Sequence, residues 1–254
     1  RWYFQVQLSS SISFWFSSKK SVKIPSMKNS LRIFSLNTEY GKYSSTFLPY
    51  LETIRNSFDV FCFQEVPNNA KDTTCFEDWY DAHLYGKLIE VLQDFTPYYS
   101  EFVAESFGIV TFVRTSLKHK YRGEKYLFGF RDTPFLDKNR WNNATKFLAL
   151  KVEWFLILNL HGAWQPKSKK QDTPQRLIQS KILRNFTKWK ESKTILIGDF
   201  NLNPNTKSIK ILEKKYKNLI KEYKICSTRT ALYDDMTLPY ADYAFVGDRI
   251  HTND

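Results

Sequence analysis

Short apolar runs recur along the chain from residue 31, and each has the length of one β-strand. The runs cover residues 31–36, 58–63, 109–113, 147–152, 154–160, 194–197 and 241–246. Between them lie patterns of helical period, at residues 47–58, 76–95 and 208–221 and in a helix that starts at Thr173 and Pro174. Strands that alternate with helices indicate an α/β fold. No apolar run approaches the ~20 residues that cross a bilayer, so no membrane span is predicted.

Five of these runs end on, or carry, a polar side chain suited to metal or phosphate chemistry. These side chains are Asn37, Glu65, His161, Asp199 followed by Asn201, and Asp242. Strand ends on one edge of a sheet lie close together, and binding sites concentrate there. The sequence therefore predicts one site built from five separate parts of the chain.

The run at 194–197 carries the clearest chemical signal. It stops at Gly198, and Asp199 and Asn201 follow two residues apart, so on an extended chain they point the same way. Asp199 is able to bind a metal or take a proton from water, and Asn201 is able to donate to a phosphate oxygen without adding negative charge. This pairing suits metal-assisted phosphoester hydrolysis. The alternative is that both residues serve only as turn formers before Pro204.

In chain order, five motifs resemble those of the endonuclease/exonuclease/phosphatase superfamily, which includes DNase I-like and exonuclease III-like enzymes. They are Ser-Leu-Asn at 35–37, Phe-Gln-Glu-Val at 63–66, Asn-Leu-His at 159–161, Gly-Asp-Phe-Asn at 198–201 and Ala-Asp-Tyr-Ala-Phe-Val at 241–246. The segments around Trp164, Arg176 and residues 227–230 are similar to a bacterial branch of it. The resemblance implies a DNase I-like four-layer sandwich, with two packed mixed β-sheets flanked by helices.

The resemblance also implies cleavage of phosphoesters with Mg²⁺ or Mn²⁺. Glu65 would be the main metal ligand, with Asn37 beside it holding metal-bound water or phosphate. Asp199 would orient or deprotonate the attacking water, while Asn201 and His161 would bond the non-bridging oxygens.

Each of these residues also has a structural interpretation. Glu65 is then an exposed loop acid, His161 a structural histidine and Asn37 a helix cap. Asp242 would orient a further histidine, which the superfamily carries in a Ser-Asp-His motif about 20 residues later.

That motif does not occur before Asp254. We therefore expect residues 27–254 to be a C-terminally truncated domain that lacks its last strand and one catalytic histidine. Loss of a general acid or base lowers a rate by about 10²–10⁴. Residues 1–26 precede Met27 and show no clear period, so they are interpreted as a disordered extension or upstream read-through.

The formal net charge of +12 permits a polyanionic partner such as nucleic acid. A solvated basic surface explains the charge equally well, and Lys170 and Arg176 are assigned to it. The three cysteines show no metal-ligand spacing, which favours a reducing, cytoplasmic compartment. A monomer is expected.

Three functions therefore compete. The first is a metal-dependent phosphodiesterase or nuclease. The second is a phosphatase acting on a phospholipid, an inositol phosphate or a small metabolite. The third is an inactive module that binds phosphate or nucleic acid, which the missing histidine keeps open.

Overall fold

The computed structural model describes residues 4–8, 12–15, 30–70, 80–102, 107–129, 144–189, 191–229 and 238–251. Its strands are β1 (Phe4–Leu8), β2 (Ile12–Trp15), β3 (Leu31–Asn37), β4 (Val60–Pro67), β5 (Phe95–Glu101), β6 (Phe107–Arg114), β7 (His119–Phe128), β8 (Thr145–Val152), β9 (Phe155–His161), β10 (Thr194–Asp199), β11 (Lys217–Asn218) and β12 (Asp242–Val246). The α-helices are α1 (Ser44–Ile54), α2 (Leu84–Val91), α3 (Pro174–Thr187), α4 (Lys207–Glu213) and α5 (Leu219–Glu222).

Within the described residues, the strands form two sheets of six. The first has the order β2-β1-β3-β4-β6-β5, and the second has the order β11-β12-β10-β9-β8-β7. Both are mixed, because β3 with β4 and β9 with β10 are parallel while the other pairs are antiparallel. The faces of the two sheets pack together through contacts such as those of β3 and β4 with β10. The predicted sandwich of two packed sheets is confirmed.

The period-2 alternation of the first sheet divides its residues between two apolar layers. Leu31 and Ile33 of β3 face the second sheet, within the larger core cluster between the sheets. Phe34 and Leu36 face the other way, against the buried residues of α1 and α2. Phenylalanine rings fill that outer layer, where the Phe34 ring centroid lies 5.4 Å from that of Phe58 in an edge-on contact.

The helix predicted at residues 208–221 is interrupted, which corrects the sequence prediction. Helix α4 ends at Glu213, and Lys217 and Asn218 instead pair with β12. Asn218 then caps α5, since its Oδ1 accepts a hydrogen bond of 3.1 Å from the backbone N–H of Ile220. Strand pairing and an N-cap therefore override a continuous helical pattern.

Residues 80–95 also differ from the long helix predicted at 76–95. The helix covers only Leu84–Val91, and Phe95 already begins β5. Positions 76–79 lie outside the described residues. Strand β7 was not predicted either, because nine of its ten residues are exposed or half-buried and it shows no apolar run.

Helix α3 begins where the sequence predicts, since Thr173 Oγ1 accepts a hydrogen bond of 3.3 Å from the N–H of Arg176. The apolar side chains that recur at helical spacing after Pro174 are only partly buried. Ile182 and Phe186 pack on the core, but Ile178 is 51% exposed and Trp189 is 87% exposed. The buried face of α3 is instead mostly polar, which matters for the site described below.

Strands β1 and β2 lie in the segment that the sequence assigns to an extension. The backbone of β1 pairs antiparallel with β3, and β2 pairs with β1. The assignment of residues 1–26 to an extension outside the domain stays a prediction. No helix among the described residues is long and apolar enough to cross a membrane.

Gly198, near the end of β10, has a backbone conformation that residues with a side chain rarely adopt. Its φ is +133°, and a Cβ at this position would lie 2.1 Å from the carbonyl oxygen of Leu160. We therefore expect Gly198→Ala to lower the free energy of unfolding by at least about 2 kcal/mol, measured by urea denaturation. Gly86→Ala is the matched control, because Gly86 lies in α2 with no heavy atom within 4 Å of the added Cβ. An equal loss in both variants would contradict this account.

Candidate active site

The strand registers bring the predicted polar residues to one edge of the sandwich. Asp199 lies opposite His161 in the parallel pair of β10 and β9, and opposite Asp242 in the antiparallel pair of β10 and β12. In the first sheet, Asn37 lies opposite Gln64 at the ends of β3 and β4. The two sheets therefore present their functional ends side by side.

Asn37 joins the two halves of the site. Its Nδ2 donates to Glu65 Oε1 at 2.9 Å and to Asp199 Oδ2 at 3.1 Å. Its Oδ1 accepts a hydrogen bond of 3.0 Å from the N–H of Glu39. Asn37 thus links a carboxylate of the first sheet to one of the second and holds both in fixed positions.

His161 and Asn201 complete the cluster. His161 Nε2 lies 3.1 Å from Glu65 Oε1 and 3.4 Å from Asn201 Nδ2, and its ring stacks on Phe102 with centroids 5.5 Å apart. Asn201 also donates from Nδ2 to the carbonyl of Gly162 at 3.1 Å. Its backbone N–H donates to Asp199 Oδ1 at 2.7 Å. Five of the six predicted residues therefore form one hydrogen-bonded cluster, and Asp242 joins it through its register opposite Asp199.

Two of these residues have left-handed backbones, which non-glycine residues rarely adopt. The φ of Glu65 is +54° and that of Asn201 is +52°. Glu65 lies in a β-bulge, where the pairing of β4 with β6 shifts between Phe63 and Val66. Thr38 stabilises this bulge, since its hydroxyl donates to the carbonyl of Glu65 at 2.8 Å. Strain of this kind concentrates at functional sites, and Thr38 was not identified from sequence.

The charges of the site stabilise one another. Burial disfavours protonated His161, but the adjacent Glu65, with Asp199 and Asp242, raises its pKa overall. Burial likewise opposes the charge on Asp199, yet Lys170, His161 and the nearby Arg229 lower its pKa overall. The neighbouring carboxylates thus outweigh burial at His161, and the neighbouring cations outweigh burial at Asp199.

Lys170 and Arg176 are buried, which corrects their assignment to a solvated basic face. Lys170 is 1% exposed and Arg176 is 0% exposed. Both lie in the field of Asp199. The sequence pattern does not indicate the burial of these two residues, because lysine and arginine are the residue types expected on a surface.

Arg176 and Gln179 explain why the buried face of α3 is polar. Arg176 Nε donates to the carbonyl of Ala163 at 3.2 Å, and Gln179 Oε1 accepts from the N–H of Ala163 at 2.8 Å. Gln179 Nε2 donates to the carbonyl of Phe200 at 3.2 Å. One helix thus fixes the loop after His161 and the loop after Asp199 relative to each other.

The carboxylate and amide oxygens of these residues are the kind of ligand that a hard divalent cation prefers. Among the described residues, no group of three or more His, Cys, Asp or Glu is arranged as a metal site. Mg²⁺ does not need one, since it is commonly held by one or two carboxylates with water and substrate oxygens. Both of the Glu65 contacts fall on Oε1, so Oε2 has no hydrogen-bond partner within the described part of the chain. Asn37 would orient Glu65 for such an ion, since its Nδ2 donates to Glu65 Oε1 at 2.9 Å, and its Oδ1, which accepts one hydrogen bond from Glu39, keeps a second lone pair for a metal-bound water.

We expect Glu65→Gln to lower the pKa of His161 in the metal-free protein. The substitution removes the negative charge that lies 3.1 Å from Nε2, while the burial that opposes protonation remains. A titration of the imidazole signals by NMR measures this pKa directly. Glu90→Gln, on the exposed side of α2, is the control and should leave it unchanged. A His161 pKa that is the same in both variants would show that Glu65 does not set it.

A family model and solved structures place this architecture among known proteins. A family model described as the Endonuclease/Exonuclease/phosphatase family matches residues 34–252. A comparison with curated proteins found no match.

Solved structures with the same fold include an endonuclease/exonuclease/phosphatase from Bacteroides vulgatus, with TM-score 0.57 and 14% identity over 85% of this chain and 87% of that one. The mannosyl-6-phosphatase of Bacteroides thetaiotaomicron gives TM-score 0.56 and 18% identity, covering 86% of each chain. D. rerio TDP2 complexed with single strand DNA product gives 0.55 and 14%, over 85% of this chain and 82% of that one. Since the family model spans well over half of the sequence, this chain belongs to the endonuclease/exonuclease/phosphatase family.

Proposed function

We propose that this protein is a divalent-metal-dependent phosphodiesterase that hydrolyses nucleic acid with an activated water. The observation that carries the proposal is the unbroken contact series Glu65–Asn37–Asp199–Asn201–His161 across the ends of two sheets. Membership of the family supports phosphoester hydrolysis in general. An inactive binding module would not need to maintain buried charges and two left-handed residues at this position.

Each side chain of the site has a separate role in the proposed reaction. Asp199 stays ionised because the surrounding cations lower its pKa, and its carboxylate is therefore suited to accept a hydrogen bond from the attacking water and orient it. His161, whose pKa is raised, and the amide of Asn201 supply hydrogen-bond donors for the non-bridging phosphate oxygens. Negative charge accumulates on those oxygens in the transition state, so donors already held in place stabilise it.

Glu65, oriented by Asn37, is the residue that would hold Mg²⁺ or Mn²⁺. When bound, such an ion supplies positive charge that offsets the charge of the phosphate. The left-handed backbone of Glu65 and its bond from Asn37 fix the carboxylate before any ligand arrives.

The choice of nucleic acid over a small phosphate ester rests on charge. The net charge of +12 permits an extended polyanion, and TDP2, which has the same fold, is described in complex with a DNA product. The likeness to a mannosyl-6-phosphatase supports the second candidate, a phosphatase for a small phosphomonoester.

Hydrolysis with and without Mg²⁺ tests the proposal. We expect cleavage of a fluorescent oligonucleotide that depends on Mg²⁺ or Mn²⁺, and no detectable cleavage by Glu65→Gln, because that variant lacks the metal-binding carboxylate. Glu90→Gln should retain the full rate. Equal cleavage in the presence of a chelator would contradict the metal assignment.

The same assay distinguishes the two substrate classes. Binding of an extended phosphate backbone weakens steeply as salt rises, whereas binding of one phosphate does not. Faster cleavage of mannose 6-phosphate than of the oligonucleotide, with little salt dependence, would favour the phosphatase.

Asn201→Ala tests the phosphate-contacting role separately. Removing one preorganised donor should lower kcat by about 10²–10³ while the protein still binds Mn²⁺. Asn205→Ala, four residues later and exposed, is the control and should behave like the unmodified protein. Steady-state kinetics together with Mn²⁺ titration measure both quantities. An unchanged kcat in Asn201→Ala would remove Asn201 from the catalytic set.

A further inference from the structure

Lys170 lies close enough to Asp199 to lower the pKa of that carboxyl, but the proposed reaction gives it no direct role. It is 1% exposed, and its Nζ donates to the carbonyl oxygen of Tyr240 at 2.9 Å. Tyr240 is two residues before Asp242, the first residue of β12. A lysine is rarely buried without a specific role, because desolvating its charge is costly.

The turn that directs Lys170 inward is held in an unfavourable conformation. Lys169 and Lys170 have φ values of +45° and +61°, both left-handed. Asn203 stabilises the turn, since its N–H donates to the carbonyl of Lys170 at 2.9 Å and its Nδ2 donates to that of Lys169 at 3.1 Å. Asn203 lies two residues after the Gly-Asp-Phe-Asn motif, so the turn is attached to the loop that carries Asp199 and Asn201.

The same region contains two carboxylates in an unfavourable arrangement. Asp199 and Asp242 lie directly opposite each other on β10 and β12, and like charges in that position destabilise a sheet. Lys170 lies in the fields of both. The other charged groups whose fields act on it are Asp199, Asp242, Arg229 and Arg176.

We propose that Lys170 is a positioning residue that balances the charges of Asp199 and Asp242 and, through the Tyr240 carbonyl, holds the start of β12 beside β10. Its catalytic consequence, a correctly placed Asp199, rests on the function proposed above. Its structural consequence, the coupling of Lys170 to Asp242, does not depend on that function.

Opposing influences act on the charge of the Lys170 amine. Burial lowers the pKa of Lys170 to about 7, and Arg229 and Arg176 contribute to the fall while Asp199 and Asp242 oppose it. The two carboxylates are thus what favours the charged form of the amine. Substitution of Lys170 should therefore change the effect of substituting Asp242, and substitution of Asp242 should change the effect of substituting Lys170.

A double-substitution cycle measured by thermal unfolding tests the structural part. Lys170→Met keeps the length of the side chain and removes its charge, so we expect a lower Tm. Adding Asp242→Asn removes one of the two opposed carboxylates and should restore at least about half of that loss, whereas independent sites give additive losses. Additive losses would overturn the proposal. If Lys170→Met does not fold, recovery of folded protein in the double variant supports the proposal, and no recovery contradicts it.

Kinetics on a fluorescent oligonucleotide with Mg²⁺ test the catalytic part. Lys170→Met should lower kcat by about 10- to 100-fold with KM nearly unchanged, because Asp199 is misplaced while substrate binding is retained. Lys169→Met is the control, since Lys169 is exposed in the same turn, and it should leave kcat and Tm unchanged. A rise in KM alone would show that Lys170 binds substrate instead. Absence of activity in every protein would refute the proposed function but would leave the unfolding cycle decisive for Lys170.

Discussion

A hydrogen bond between two buried amides fixes the two sheets relative to each other directly beside the active site. Gln64 Nε2 donates to Asn159 Oδ1 at 2.7 Å, and Asn159 Nδ2 donates in turn to the carbonyls of Phe63 and Val110 at 3.2 and 3.0 Å. Both side chains are 0% exposed. A buried amide without partners is costly, so these bonds select one alignment of the sheets over others. Since Gln64 adjoins Glu65 and Asn159 lies two residues before His161, that alignment also sets the site.

The bulge in β4 is a second constraint on the site, and it acts together with the hydrogen bond between Gln64 and Asn159. On a regular strand, consecutive residues point to opposite faces, so Gln64 and Glu65 would not both lie on the inner side. The extra residue and the left-handed φ of Glu65 change this, because a bulge re-aims the side chain that it carries. Gln64 is then free to bond Asn159 while Glu65 reaches Asn37. The strain at Glu65 thus accompanies the placement of a structural amide and a carboxylate of the candidate site side by side.

The sequence predicts the parts of this molecule that depend on local pattern. Buried strands such as β10 are near-continuous apolar runs, and the N-cap at Thr173 is visible because capping acts within one helical turn. Strand β7 and the break between α4 and α5 were missed because they depend on pairing with strands remote in sequence.

The same distinction between local pattern and tertiary contacts applies to the residues of the candidate site. Its six residues are predicted from strand ends and from a family resemblance, and their roles in the site stay predictions. The burial of Lys170 was not foreseeable, because it depends on two left-handed residues and on contacts with Asn203 and Tyr240. A surface residue type became a buried one through tertiary structure alone.

Charge balance connects the buried cations to the basic composition of the chain. Glu65, Asp199 and Asp242 bring three carboxylates to one edge of the sandwich, and Lys170, Arg176 and Arg229 lie within the field of Asp199. Buried charges of one sign are tolerated only when opposite charges or hydrogen bonds compensate them. These three cations therefore belong to the interior of the site and do not contribute to an outer phosphate-binding surface. An electrostatic attraction for nucleic acid would have to come from other lysines, such as the exposed Lys207, Lys210 and Lys224.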